Sequence, residues 1–128
     1  SIEGVAHKNL LWKPSIEISA LKQIDIGIMP LPDNDYARAK GGYKLYLYMA
    51  AGIPCIASPV GVNTSIINEN VNGFLATTEN EWYNAFKTLL SRPDLRTNLG
   101  KAGRKQAEEE YDRKVCFNQL IKIIDKKR

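Results

Sequence analysis

The stretch KLYLYMAAGIPCIAS, residues 44–58, decides how the chain reads. Its first half, entered at Tyr43 and running to Ala51, is apolar and rich in residues that a helix tolerates. Gly52 stops it, because glycine accepts the left-handed backbone that helix ends need. Ile53 to Ser58 then forms a short continuous apolar run bounded by Gly52 and Pro59. Such a run suits a strand buried on both faces, as in a parallel sheet.

Outward from this centre, Asp25 to Leu31 reads as a preceding strand, broken by Pro30 and Pro32. Before it, Lys13-Pro14-Ser15 opens a helix with Ser15 as the cap and Ile18, Leu21 and Ile24 as its apolar stripe. Ile2 to Val5 reads as a further short strand. After the centre come a turn at Pro59-Val60-Gly61, a short helix near Ser65 to Asn68 and a strand at Gly73 to Ala76. Thr78 and Glu81 have capping-box spacing, and the helix they start shows Trp82, Ala85, Phe86, Leu89 and Leu90 on one face. Two more helical segments follow Pro93: Leu95 to Tyr111, broken at Gly100–Gly103, and Arg113 to Lys126. Strands alternating with helices predict an α/β domain, a Rossmann-like parallel sheet with helices on both faces, over residues 1–128 as one domain.

Bulk properties narrow the function classes. Eighteen basic and 14 acidic residues give a net charge of +4, with Lys122, Lys126, Lys127 and Arg128 near the end. That tail lacks the interleaved aromatics of a nucleic-acid site, so no nucleic-acid partner is expected. Cys55 and Cys116 read as buried free thiols, and no signal peptide is evident at Ser1 to Gly4. A cytoplasmic location is expected, with peripheral contact at the inner face of the membrane compatible with the tail.

In parallel sheets ligands sit beyond the carboxyl ends of the strands, which selects two loops. In the first, Gly41 and Gly42 precede a helix, so the backbone N–H groups of Gly42, Tyr43 and Lys44 should be free to meet an anion. Arg38, Lys40 and Lys44 add positive charge; the bland alternative is a tight turn. The second loop, centred on Gly61, Val62 and Asn63, reads on its own first as a stiff connection between strand and helix, with a binding loop as the alternative. His7 reads as a solvated loop histidine, and Trp12 as an apolar anchor or a base-stacking ring. Trp82 reads as core. Of Tyr43, Tyr46 and Tyr48, at least one should pack inward. Asp33 and Asp35 read as turn residues with an acceptor or metal role as the alternative. No Ser-His-Asp or Cys-His set and no metal-ligand cluster is present in the sequence.

The segment 44–58 resembles the retaining glycosyltransferases typified by sucrose and glycogen synthases, where a helix ending "EYMAAG" enters a strand reading "PVIAS". Asp25 to Leu31 looks like the strand before it. Asn72-Gly73-Phe74-Leu75 matches that family's "NGFLV", and Gly103-Arg104 with Tyr111 its late "GR…Y". The resemblance implies the C-terminal half of a GT-B fold, which holds a nucleotide-diphosphate sugar as donor substrate, needs no metal or other cofactor, and faces an N-terminal domain that holds the acceptor. It also implies that the first strands of that half, with an arginine and a lysine that clamp the diphosphate, lie outside these 128 residues, so a piece of a longer protein is expected. The implied activity is sugar transfer with retention to a glycan or lipid-linked acceptor, as in polysaccharide biosynthesis.

The family's paired glutamates would fall at Ala39 and Leu47, and a third, in its "GG..E" segment, at Ser65. The second of the pair contacts ribose, which leucine cannot do by hydrogen bonding. A non-catalytic nucleotide-binding module of the same fold is therefore the alternative reading. An unrelated Rossmann-type domain for another phosphorylated ligand is the third.

Overall fold

The computed structural model describes residues 4–11 and 13–126. Ser1 to Glu3, Trp12, Lys127 and Arg128 lie outside the described residues, and with them most of the expected strand at Ile2–Val5. Its described part, Gly4 and Val5, is a turn and a bend.

The element order is a 3-10 turn (Pro14–Ile16), α1 (Glu17–Leu21), β1 (Gly27–Met29), α2 (Asp35–Arg38), α3 (Tyr43–Ala50), β2 (Cys55–Ala57), α4 (Asn63–Ile66), β3 (Gly73–Leu75), α5 (Glu79–Ser91), α6 (Pro93–Gln106), a π turn (Ala107–Tyr111) and α7 (Arg113–Asp125). The sheet has the order β1-β2-β3 and is parallel throughout, with Gly27, Cys55 and Gly73 in register.

Central β2 is buried on both faces, which is why its sequence shows no alternation. Cys55 and Ala57 point to one side, where Met29, Leu45, Met49, Ile66 and Ile67 complete a core beneath α3 and α4. Ile56 points to the other, against Ala76, Ala85, Leu89 and Leu99 of α5 and α6. Tyr46 and Tyr48 are the inward-packing tyrosines. Tyr48 covers Gly27, whose place a Cβ would take at 2.5 Å from the ring, and Tyr46 meets Tyr111 edge-on at 4.6 Å. Tyr43 stays 65% exposed.

The end of α3 explains the helix–strand junction. Gly52 has φ +71°, its N–H bonds Met49 O and the next N–H, of Ile53, bonds Tyr48 O. This pair of bonds satisfies the last carbonyls and turns the chain sharply into β2. At α5 the expected capping box is present: Thr78 Oγ accepts from Glu81 N, and Glu81 Oε2 from Thr78 N.

Several expectations are corrected. Ser15 caps nothing: Lys13 holds the extended cap position, and Ser15 lies inside the 3-10 turn that Pro14 begins. Leu90 is exposed, because the buried face of α5 runs through Ala85 and Leu89 and leaves Leu90 about 100° further round. Trp82 packs against that core half-buried, without being enclosed. α6 shows no break at Gly100–Gly103. It runs unbroken because both glycines face α3, where a Cβ on Gly100 would lie 2.0 Å from Gly52 O and one on Gly103 3.4 Å from Met49 Cγ. The helix after β2 begins two residues earlier than expected, at Asn63. Cys55 is buried and Cys116 exposed, both as free thiols. No described helix is long and apolar enough to cross a membrane.

Candidate functional site

Both loops selected from the sequence leave the carboxyl ends of parallel strands, β1 and β2, and the fold brings them into contact. Ser58 Oγ accepts from Leu31 N at 3.0 Å, tying the two strand ends together. Gly42 caps α3 in the left-handed conformation, φ +69°, and is buried against α4. A Cβ there would fall 2.5 Å from Ile66 Cδ1 and 3.0 Å from Val62 Cγ2. Gly61, φ +56°, lies as close to Arg38: its Cβ would be 2.6 Å from Arg38 O. Backbone sign favours glycine at both points, and at Gly61 the Arg38 carbonyl leaves no room for a side chain either.

The α3 N-terminus is open. Among the described residues the N–H groups of Gly42, Tyr43 and Lys44 have no acceptor, while Gly42 O receives the N–H groups of Leu45 and Tyr46. Three unpaired donors at the positive end of the helix dipole are an arrangement that can receive an anion. Lys44 is exposed and takes part in no ion pair among the described residues.

The other two cations are held differently. Asn34 Oδ1 caps α2 by accepting from Ala37 N at 2.9 Å. That short helix places Arg38 Nε 2.7 Å from Asp33 Oδ1 and its Nη1 3.6 Å from Asp35 Oδ1. The hydrogen bond from Arg38 holds the Asp33 carboxyl below its usual range, and Asp33 raises the guanidinium in return. Asp33 and Asp35 are thus partners of Arg38, and no group of acidic, His or Cys side chains among the described residues could hold a metal. Lys40 Nζ sits 5.0 Å over the Tyr36 ring, and Gly41 makes no close approach. His7 is exposed, with Nδ1 3.2 Å from Val5 O.

In the second loop Asn63 is 1% exposed, donates Nδ2–H to Ser58 O at 2.9 Å, and leaves Oδ1 without a partner. Val62 is half-buried under Gly42. Thr64 and Ser65, whose hydroxyls donate to Gly61 O and Val62 O, turn back on their own helix.

Sequence reasoning missed a groove of about 270 Å³ between α1 and α3, with Leu10, Ile16, Leu21, Tyr43, Lys44 and Leu47 among its lining residues. Two of these residues, Tyr43 and Lys44, also carry the open N–H groups. The one available signal was the apolar stripe of α1, which reads from sequence as core. Leu47 therefore faces this groove, whereas Ala39 is exposed at the end of α2 and does not line it.

A polar network braces the site from behind. Asn72, 1% exposed, donates to Ile66 O at 3.0 Å and to Gln106 Oε1 at 2.6 Å, and accepts from Asn68 N. Gln106 in turn donates to the Tyr111 hydroxyl at 3.1 Å. Partial burial, more than any other influence, raises the Tyr111 hydroxyl above its ordinary pKa.

Comparison with known proteins bears on this arrangement. The model of the "Glycosyl transferases group 1" family matches residues 7–106. Spore coat protein SA of Bacillus subtilis (strain 168) is 31% identical over 86 residues, 65% of this chain and 23% of that protein. Two solved structures share the fold. Anabaena HepE in complex with UDP superposes with a TM-score of 0.64 at 18% identity, covering 84% of this chain and 29% of that one. The C-terminal domain of the glycosyl transferase group 1 family protein LpcC from Francisella tularensis gives 0.65 at 21% identity, covering 81% and 52%. The chain thus spans from about a quarter to about half the length of these relatives.

Proposed function

Because the chain belongs to the glycosyl transferases group 1 family, we propose that it holds the diphosphate of a sugar nucleotide against the N-terminus of α3. In the parent protein this serves transfer of the sugar, with retention, to a glycan or lipid-linked acceptor presented by a second domain. The carrying observation is the cradle itself: the acceptor-free N–H groups of Gly42, Tyr43 and Lys44, with the unpaired Lys44 ammonium beside them. Chemically, such fixed donors stabilise negative charge as it develops on the departing diphosphate, with little reorganisation at the moment of reaction. Lys40 and Arg38 stand at the rim, and Gly61, Val62 and Asn63 close the far side.

The test is calorimetric titration of the protein with UDP, GDP, ADP and dTDP, with inorganic phosphate as control. One nucleotide should bind selectively, and Lys44→Ala should weaken it by about tenfold or more, the value of a charge-assisted contact. No binding to any of them by folded protein overturns the reading.

A second reading, a non-catalytic module of the same fold, is favoured by Ala39 and Leu47, which offer no carboxylate to a bound donor. Turnover of the sugar nucleotide by the parent protein decides between the two. Nucleotide binding without any release of sugar would establish the module.

A further inference from the structure

We propose that α7 is a membrane-surface helix: it lays its apolar face into a bilayer of anionic lipid and is held there by its own cations.

The charge of the chain is unevenly placed. Residues 113–128 hold six of the 18 basic residues and one of the 14 acidic ones, so they carry +5 while the rest of the chain is −1. Arg113, Lys114, Lys122 and Lys126 take part in no ion pair among the described residues. The acidic groups just ahead of the helix are engaged elsewhere. Glu108 pairs with Arg104 at 2.6 Å and Glu109 with Lys105 at 3.9 Å, while Asp112 caps α7 by accepting from Lys114 N at 2.8 Å. Such an asymmetry turns the domain so that α7 is the part a negative surface attracts.

The other half of the observation is apolar. Phe117, Leu120, Ile121 and Ile124 recur at the three-, four- and seven-residue spacing of one helical stripe, with Lys122 and Lys126 on the opposite side. The four are 39–59% exposed, and no residue of α7 is buried. The helix packs against the π turn, yet none of its side chains joins either hydrophobic core. A helix apolar along one side and basic along the other lies in the plane of an anionic membrane, with its apolar side chains among the acyl chains. Its 13 residues span about 20 Å, too short to cross a bilayer. Three of the four described cations are lysines, flexible point charges that suit mobile headgroups. A shaped protein partner would favour arginine and aromatic residues over lysine.

The test is co-sedimentation of the full chain with vesicles of phosphatidylcholine alone and of an equimolar mixture with phosphatidylglycerol. The protein should pellet with the mixture and stay in solution with phosphatidylcholine. Lys122→Gln and Lys126→Gln lie on the exposed helix and should each weaken binding about fivefold without lowering the melting point. The fluorescence of Phe117→Trp should move to the blue on the mixed vesicles and stay unmoved on phosphatidylcholine. Equal pelleting with both vesicles, or none by folded protein, overturns the proposal. So does pelleting with an unshifted Phe117→Trp indole, since another surface would then be the one in contact. A dimer that forms through α7 and leaves the vesicles unbound also overturns it, and gives the face to a second copy.

Discussion

Gly100→Ala should destabilise the protein although it places the best helix former in the middle of a helix. Taken alone, the exchange favours folding by about 1 kcal/mol, because alanine loses less backbone freedom than glycine. Packing works against it. The added methyl would sit 2.0 Å from Gly52 O, and that carbonyl belongs to a left-handed residue fixed by the two hydrogen bonds that end α3. To reach an ordinary contact, α6 and α3 must separate by more than an ångström, which strips contacts from Met49 and Leu99. Overpacking against a side chain costs ~1–3 kcal/mol, and against fixed backbone the upper value applies. The net loss is then about 2 kcal/mol, equivalent to a melting point lower by roughly 8 °C for a domain of this size. Circular dichroism should show unchanged helix content at low temperature, so that the loss is one of packing. Gly41→Ala is the control: nothing lies within 4 Å of its added methyl, and its melting point should barely move. A Gly100→Ala protein that melts at or above the wild type would refute the argument.

Other outcomes follow from single features. Thr78→Ala should cost about 1 kcal/mol by urea unfolding, the usual worth of a helix cap. Glu81 is held below its ordinary carboxyl range chiefly by the N–H of Thr78, then that of Thr77, so its contribution is present above the unfolded value of 4.5 and lost as pH falls through the folded one. Glu81→Gln should accordingly flatten the acid limb of the stability profile below the unfolded value of 4.5, and an unchanged slope would count against the box. With a thiol reagent at pH 8, exposed Cys116 should react at once. Cys55, wholly buried and pushed up by burial to about 12, should react only on unfolding. Asn72→Ala leaves Asn68 N, Ile66 O and Gln106 Oε1 without their partner and should cost about 2–3 kcal/mol or more in urea unfolding, against about 1 kcal/mol for Tyr111→Phe. Equal losses would mean that Asn72 is not the hub.

What the sequence made legible was whatever local chemistry settles alone. The run from Tyr43 to Ser58 contains its own helix, stop and strand, and Thr78 with Glu81 contains its own cap. Each therefore appears in the structure within a residue or two of its expected place. The misread glycines of α6 share one cause, which is that the deciding partner lies far along the chain. Gly100 and Gly103 look like helix breakers until Gly52 and Met49 are seen beneath them. Cys116 has the spacing of a core residue on a helix whose apolar side nothing in the described chain covers. At the site, both glycine loops were readable because glycine before a helix has a backbone meaning. The groove was not, since the residues of α1 that line it are indistinguishable in sequence from those that fill a core. Nor could sequence show that Arg38 is taken by Asp33 while Lys44 remains unpaired.

The contact of Gly42 with Val62 and Ile66, and of Gly61 with Arg38, has a mechanical consequence. At Gly61 the two loops meet backbone to backbone, and Gly42 lies directly against the Val62 and Ile66 side chains. An anion arriving at the cradle finds its donors already placed, so association should be a single step whose rate depends on salt and viscosity and not on any loop motion. Any movement of one loop must then carry the other with it.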